Sequence, residues 1–227
     1  MATSTGGPFN GWLTRFEFTK DNLVNFSDAV FAIAITLLAI DIKLPEGIAG
    51  GEYLLSALLN LWPNFLSYII SFGLIAAYWY NYHKIIYYAP EADNNMTFLN
   101  IVFLFFVTIM PFTASMLSRY GNESIAVVLY AATIALGSAV LFMLWRHIVQ
   151  KYLRAEKALN KRYFDYLSVR ALIPVFVALF SMVLAIFNPL VAIIFLLLDP
   201  ISIWLSPVFF YWVQSRFGSA RNIELTK

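Results

Sequence analysis

Apolar residues in this chain come in long runs, broken by short polar or glycine- and proline-marked interruptions. Six runs stand out, over about 23–44, 54–82, 98–117, 125–145, 172–187 and 190–213. The first, Leu23–Leu44, is about 33 Å long as a helix, against a hydrocarbon core of about 30 Å. The pattern therefore predicts an all-α polytopic membrane protein with six transmembrane helices. Pro45, Gly47, Gly50 and Gly51 mark the first break. His83, Lys84, Glu91 and Asp93 form the second. Arg119, Gly121, Asn122 and Glu123 make a tight third, and Asn188-Pro189 turns the chain between the last two runs. Pro111 predicts a kink inside the third run. The cluster Tyr78, Trp79, Tyr80 and Tyr82 at the end of the second suits the headgroup level. Only the first run opens with Phe-Ser-Asp, so no internal repeat is expected.

One long polar stretch, Arg146 to Arg170, separates runs four and five. Tyr152, Leu153, Leu159 and Tyr163 give it an amphipathic character that predicts a helix lying near the membrane surface. It carries seven Lys/Arg, whereas the first and third connections carry one each, Lys43 and Arg119. Basic loops stay in the cytoplasm, so this loop and, with an even number of spans, both termini are placed there. Arg15 and Lys20 before the first run and Arg216 and Arg221 after the last agree. Residues 1–22 read as a retained cytoplasmic tail rather than a signal peptide, with an interfacial segment at Trp12, Leu13, Phe16 and Phe18. Residues 214–227 form a second cytoplasmic tail, leaving 23–213 as the transmembrane domain. Composition agrees: 61% of residues are hydrophobic and 12% charged, against roughly 45–50% and 25% in soluble domains.

The first run, NFSDAVFAIAITLLAIDIKL, carries Ser27 and Asp28 near one end and Thr36 in its middle. A carboxylate there implies a helix facing protein or water. On a helical wheel Phe26, Ala29, Ile33, Thr36, Leu37 and Ile40 share a face; Asp28 lies opposite, near Ala32 and Ala39, and so do Ile35 and Ile42. The aliphatic stripe has two readings. It faces lipid or core, with Thr36 bonding back to the Ala32 carbonyl, or it lines a pore and gates it by hydrophobicity.

Trp79 and His83 sit four residues apart on one face. They form an interfacial belt, or they meet Ser27 and Asp28 at the same membrane depth. Asp199 falls near mid-membrane, where an ionisable group is a functional candidate. The favoured expectation is that Asp199-Pro200 breaks the helix and the carboxyl caps the next helical segment. Asp41 and Glu46 stand where they would attract cations to an outer vestibule or stay hydrated. There is no cysteine, and the two histidines, His83 and His147, lack metal-ligand spacing. No phosphate loop or nucleophile motif occurs. No enzyme, cofactor or nucleic-acid partner is expected, and the basic stretch faces anionic lipid.

FSDAVFAIAITLLAIDIKLP, with WPNFLSYIISF (62–72) and YWYNYHK (78–84), resembles the transmembrane protein 175 family of potassium channels in its short, one-repeat prokaryotic form. The resemblance implies a homotetramer in the plasma membrane whose first helices surround the pore. On this sequence the constriction positions are Ile33, Thr36, Leu37 and Ile40, in place of a carbonyl filter; the only metal ion implied is potassium in transit. It also implies a network of Phe26, Ser27, Asp28, Trp79 and His83. One departure is Asn22, where the family has Arg. A potassium-permeable channel is the main reading. A proton-coupled secondary transporter using Asp28, His83 or Asp199 is the alternative, and a non-conducting scaffold is a third.

Overall fold

A computed structural model describes residues 19–40, 42–44, 51–153 and 161–200. The expectations for Trp12 to Phe18, Asp41, Glu46 and the C-terminal tail lie outside these residues. Helix α1 spans Lys20–Ile40. Thr19 caps it, its Oγ1 accepting from the Asn22 N–H at 3.3 Å. The helix ends before the expected Leu44, and residues 42–44 have no helical structure. Pro45 disfavours the α conformation at Leu44, so Ile42 does not continue the face of Ile35.

The second apolar run is two helices, not one. Helix α2 (Gly51–Asn60) and helix α3 (Trp62–Tyr87) meet at a 47° bend. Pro63 starts α3, where its missing N–H costs nothing but prevents the ladder from running through. Helix α4 (Asn94–Tyr120) is capped by Asp93, whose Oδ1 accepts from the Met96 N–H at 2.8 Å, and it continues through Pro111. Helix α5 spans Ser124–Ile148 and closes in a π-helical turn, Val149–Leu153. Helix α6 (Lys161–Phe187) is continuous with the fifth run. The Arg146–Arg170 stretch is therefore not a separate surface helix: its start finishes α5, its end begins α6, and 154–160 lie outside the described residues. Asn188 turns the chain and caps α7 (Pro189–Leu196), its Oδ1 accepting from the Leu190 N–H at 3.0 Å and the Val191 N–H at 3.3 Å.

Among the described residues three helices are long and apolar enough to cross a bilayer, and four if the bent α2–α3 pair counts as one span. Helix α5 is the hub: 61% of its apolar window is buried, against 28% for α1. It packs on α4, α6, α3 and α7, while α1 rests on α4 and α3. Phe31, Tyr78, Tyr82 and Phe103 interlock where α1, α3 and α4 meet, with ring centroids 5.6–6.2 Å apart. Buried hydroxyls cross-link the helices, as polar groups in an apolar bundle must. Ser71 Oγ and Tyr130 OH lie 2.9 Å apart, and Ser67 Oγ donates to the Ala114 carbonyl at 2.8 Å.

One end of the bundle gathers the start of α1, the α3–α4 turn and the end of α5. Lys20 Nζ donates to the Ala89 carbonyl at 2.7 Å. His147 Nε2 and Lys151 Nζ each donate to Asp93 Oδ2 at 2.8 Å. Burial pushes the Asp93 carboxyl up, but the bonds from Lys151, His147 and the Met96 N–H outweigh it and hold the group well below the usual carboxylate range.

Candidate functional site

Three consecutive residues of α1 point in three directions, because each step along a helix turns by about 100°. Phe26 faces outward, 53% exposed, and makes no part of the polar network. Ser27 faces the bundle interior and is fully buried. Asp28 faces α3.

Asp28 Oδ1 accepts from Trp79 Nε1 and from His83 Nε2, each at 2.8 Å. A carboxylate only accepts, so His83 carries a proton on Nε2. Trp79 and His83 reach the same oxygen because they lie one turn apart on α3; their rings stack edge-on at 4.7 Å. The clamp is open to its surroundings, with Asp28 41% and His83 33% exposed.

Ser27 is held by other residues than Trp79 and His83. Its hydroxyl donates to the Leu23 carbonyl at 2.8 Å and accepts from Tyr82 OH and Asn100 Nδ2, each at 2.9 Å. One donor and two acceptors exhaust what a hydroxyl offers. Sequence reasoning misses Tyr82 and Asn100 in this role. Asn100 carries a signal, an amide inside an apolar run. Tyr82 reads as part of an interfacial belt along with Tyr78, yet both are buried. Tyr78 OH donates to the Ile134 carbonyl at 2.8 Å and lies 2.6 Å from Ser138 Oγ, so these rings belong to the bundle because their hydroxyls have partners there.

The aliphatic stripe stands apart from this network. Ile33, Leu37 and Ile40 are 59%, 43% and 61% exposed, whereas Leu23, Phe31, Ala34 and Leu38 on the other side are buried. The stripe is therefore not core. Thr36 is exposed too, and its Oγ1 donates to the Ile33 carbonyl at 2.9 Å, not to Ala32. Ile35 is half-buried and packs on the core. Asn22, where an Arg is expected, is exposed.

Asp199 is fully buried, in the helical turn after α7. It lies within electrostatic reach of Tyr78 and Tyr130, and the segment it is expected to cap is outside the described residues. Among the described residues no three His, Asp or Glu group to hold a metal.

The family described as endosomal/lysosomal potassium channel TMEM175 matches residues 22–111, which include every residue of the Ser27 and Asp28 networks. A potassium channel of Chamaesiphon minutus is 38% identical over 151 residues, 61% of this chain and 74% of that one. A potassium channel of Streptomyces collinus is 36% identical over 129 residues, 55% of this chain and 62% of that one. The crystal structure of a lysosomal potassium-selective channel TMEM175 homolog from Chamaesiphon minutus superposes with a TM-score of 0.72. It is 27% identical, over 82% of this chain and 96% of that one. The fold is thus all-α, polytopic and membrane-spanning, and the chain belongs to the TMEM175 family.

Proposed function

We propose that the protein is a passive potassium-permeable channel in which α1 lines the pore. The observation that carries this reading is the exposed stripe of Ile33, Leu37 and Ile40 on the least buried of the three helices long enough to cross a bilayer. A closed ring of subunits would cover such a face by symmetry. Four copies give three aliphatic rings, stacked over about 10 Å at 1.5 Å per residue. These rings offer an ion no oxygen to replace its water. A narrow ring excludes water and closes; a wider one passes a partly hydrated ion. Potassium holds its water less tightly than sodium, so a dehydration barrier favours potassium modestly without a carbonyl filter. The Thr36 hydroxyls, at the edge of the face, ease the crossing.

In this reading 23–213 cross a prokaryotic plasma membrane six times, with both tails in the cytoplasm and the basic end of the bundle inward. Ser27, Asp28, Trp79 and His83 hold α1 in place rather than conduct. Unitary currents in planar bilayers, with a reversal potential positive for potassium under bi-ionic conditions, test it. Flux with a carrier's turnover and no unitary steps would favour the proton-coupled transporter. Native mass spectrometry should give a tetramer; a stable monomer or dimer as the only species would refute the assembly.

A further inference from the structure

A cavity of about 340 Å³ lies between α3, α5 and α6, away from the aliphatic stripe. Its inner end is marked by Tyr78 and Ser138, both buried, and its outer end by Lys84 and by Tyr87, which is 80% exposed. From Tyr78 to Tyr87 the cavity wall runs along α3 for about 14 Å. Lys84 stands in the last turn of α3, at the basic end of the bundle, with its Nζ 4.3 Å above the Tyr80 ring. Two other lysines of this end, among the described side chains, have oxygen partners: Lys20 binds the Ala89 carbonyl and Lys151 binds Asp93. Among the described residues no carboxylate pairs with Lys84.

We propose that this cavity binds an anionic phospholipid from the leaflet at the basic end, with its phosphate on Lys84 and one acyl chain running inward past Leu141 and Pro174. Three features select that ligand. A cation beside aromatic rings at the end of a membrane helix sits at headgroup depth. The walls below it are apolar and aromatic, which suits a chain and not a small hydrated anion. The volume lies at the low end of the roughly 300–1,000 Å³ typical of ligand sites, room for one chain with the second outside. A zwitterionic headgroup would bring its own cation against Lys84 and gain less. The site also touches the α1 clamp. His83 lines the cavity on one side and donates to Asp28 on the other, so a bound lipid braces the face of α3 that holds α1.

The test is native mass spectrometry of the full chain released from mixed micelles with equal phosphatidylglycerol and phosphatidylcholine. Binding needs no current, so it is decided separately from the channel reading. Retained phosphatidylglycerol should exceed phosphatidylcholine by about fivefold, the scale of one basic side chain at an anionic leaflet. Lys84→Gln should abolish the preference, and Ala171→Phe, which fills the cavity, should reduce retention of both lipids. Lys43→Gln, outside this end of the bundle, should change neither. Glycerol phosphate should not displace the lipid. Equal retention of the two lipids, an undiminished preference in Lys84→Gln, or displacement by glycerol phosphate would each overturn the proposal.

Discussion

Ser27→Ala should destabilise the protein more than Asp28→Ala, although Asp28 carries the charge. The Ser27 hydroxyl is fully buried and saturated, with Tyr82 OH and Asn100 Nδ2 both donating to it. Alanine leaves two buried donors without an acceptor. Each such loss costs about 1–3 kcal/mol, so about 2–6 kcal/mol is expected in total. The Leu23 carbonyl keeps its helical bond and adds little. Asp28 also accepts two bonds, but it is 41% exposed and His83 is 33% exposed. Water reaches those donors when the carboxylate is removed, so the cost is screened to about 1 kcal/mol.

The assay is the temperature at which each variant loses its oligomer peak on size-exclusion chromatography in detergent. Ser27→Ala should lose it well below Asp28→Ala. A double-mutant cycle then isolates the cause. Tyr82→Phe removes one of the stranded donors, so adding it to Ser27→Ala should cost less than the two single changes summed, with a coupling of about 1 kcal/mol or more. Strict additivity, or Asp28→Ala proving the less stable variant, would refute the account of the buried hydroxyl.

Three further outcomes are expected. Ile33→Asn and Ile40→Asn should wet the constriction, raise conductance and lower the potassium-over-sodium preference, while Ile35→Asn should disturb folding and leave selectivity alone. Reversal potentials under bi-ionic conditions decide it, and a shift in Ile35→Asn alone would place the wrong face in the pore. The Asp93 carboxyl is held below its ordinary value near 3.8, so it contributes stability above that pH and loses it as pH falls toward the folded-state value. Thermal stability should drop across this acid range in the wild type and more shallowly in Asp93→Asn; equal slopes would count against the Asp93–His147–Lys151 junction. Asp199→Asn should leave current and its pH dependence unchanged, and loss of proton-dependent flux in a folded variant would favour the transporter.

The face of α1 is legible in the sequence because its period is local. A wheel drawn on Ile33 separates Ile33, Leu37 and Ile40 from Ser27, and burial follows the same division. The bend at Trp62–Pro63 does not show as a break, because hydropathy averages over a window and runs straight across one proline. Tyr78 and Tyr82 mislead for a different reason. An amphipathic ring suits both the headgroup level and a polar partner inside the bundle. Only partners far along the chain, Ser138 for Tyr78 and Ser27 for Tyr82, decide between the two. Asn100 lies 73 residues from Ser27, and no single-sequence period connects them.

The placement of polar bonds along α1 explains why Phe-Ser-Asp stands where it does. In a bilayer, apolar contact between helices competes with equally apolar lipid, so packing and interhelical hydrogen bonds must position a helix. The bonds from α1 to α3, α4 and the turn between them come from Lys20, Ser27 and Asp28, all in its first nine residues. Beyond Asp28, α1 rests on the bundle through Phe31, Ala34 and Leu38, and its one further side-chain bond, from Thr36, stays within the helix. Ser27 and Asp28 project about 100° apart, so together they fix the rotation of the helix about its own axis as well as its depth. That rotation decides which residues face away from the bundle. With Ser27 turned inward and Asp28 turned to α3, Ile33, Leu37 and Ile40 are left on the outer side. The polar end therefore aims the apolar end. A change at Ser27 that lets α1 turn by even one residue's angle would replace Ile33 and Ile40 on that face with their neighbours Ala32 and Ala39.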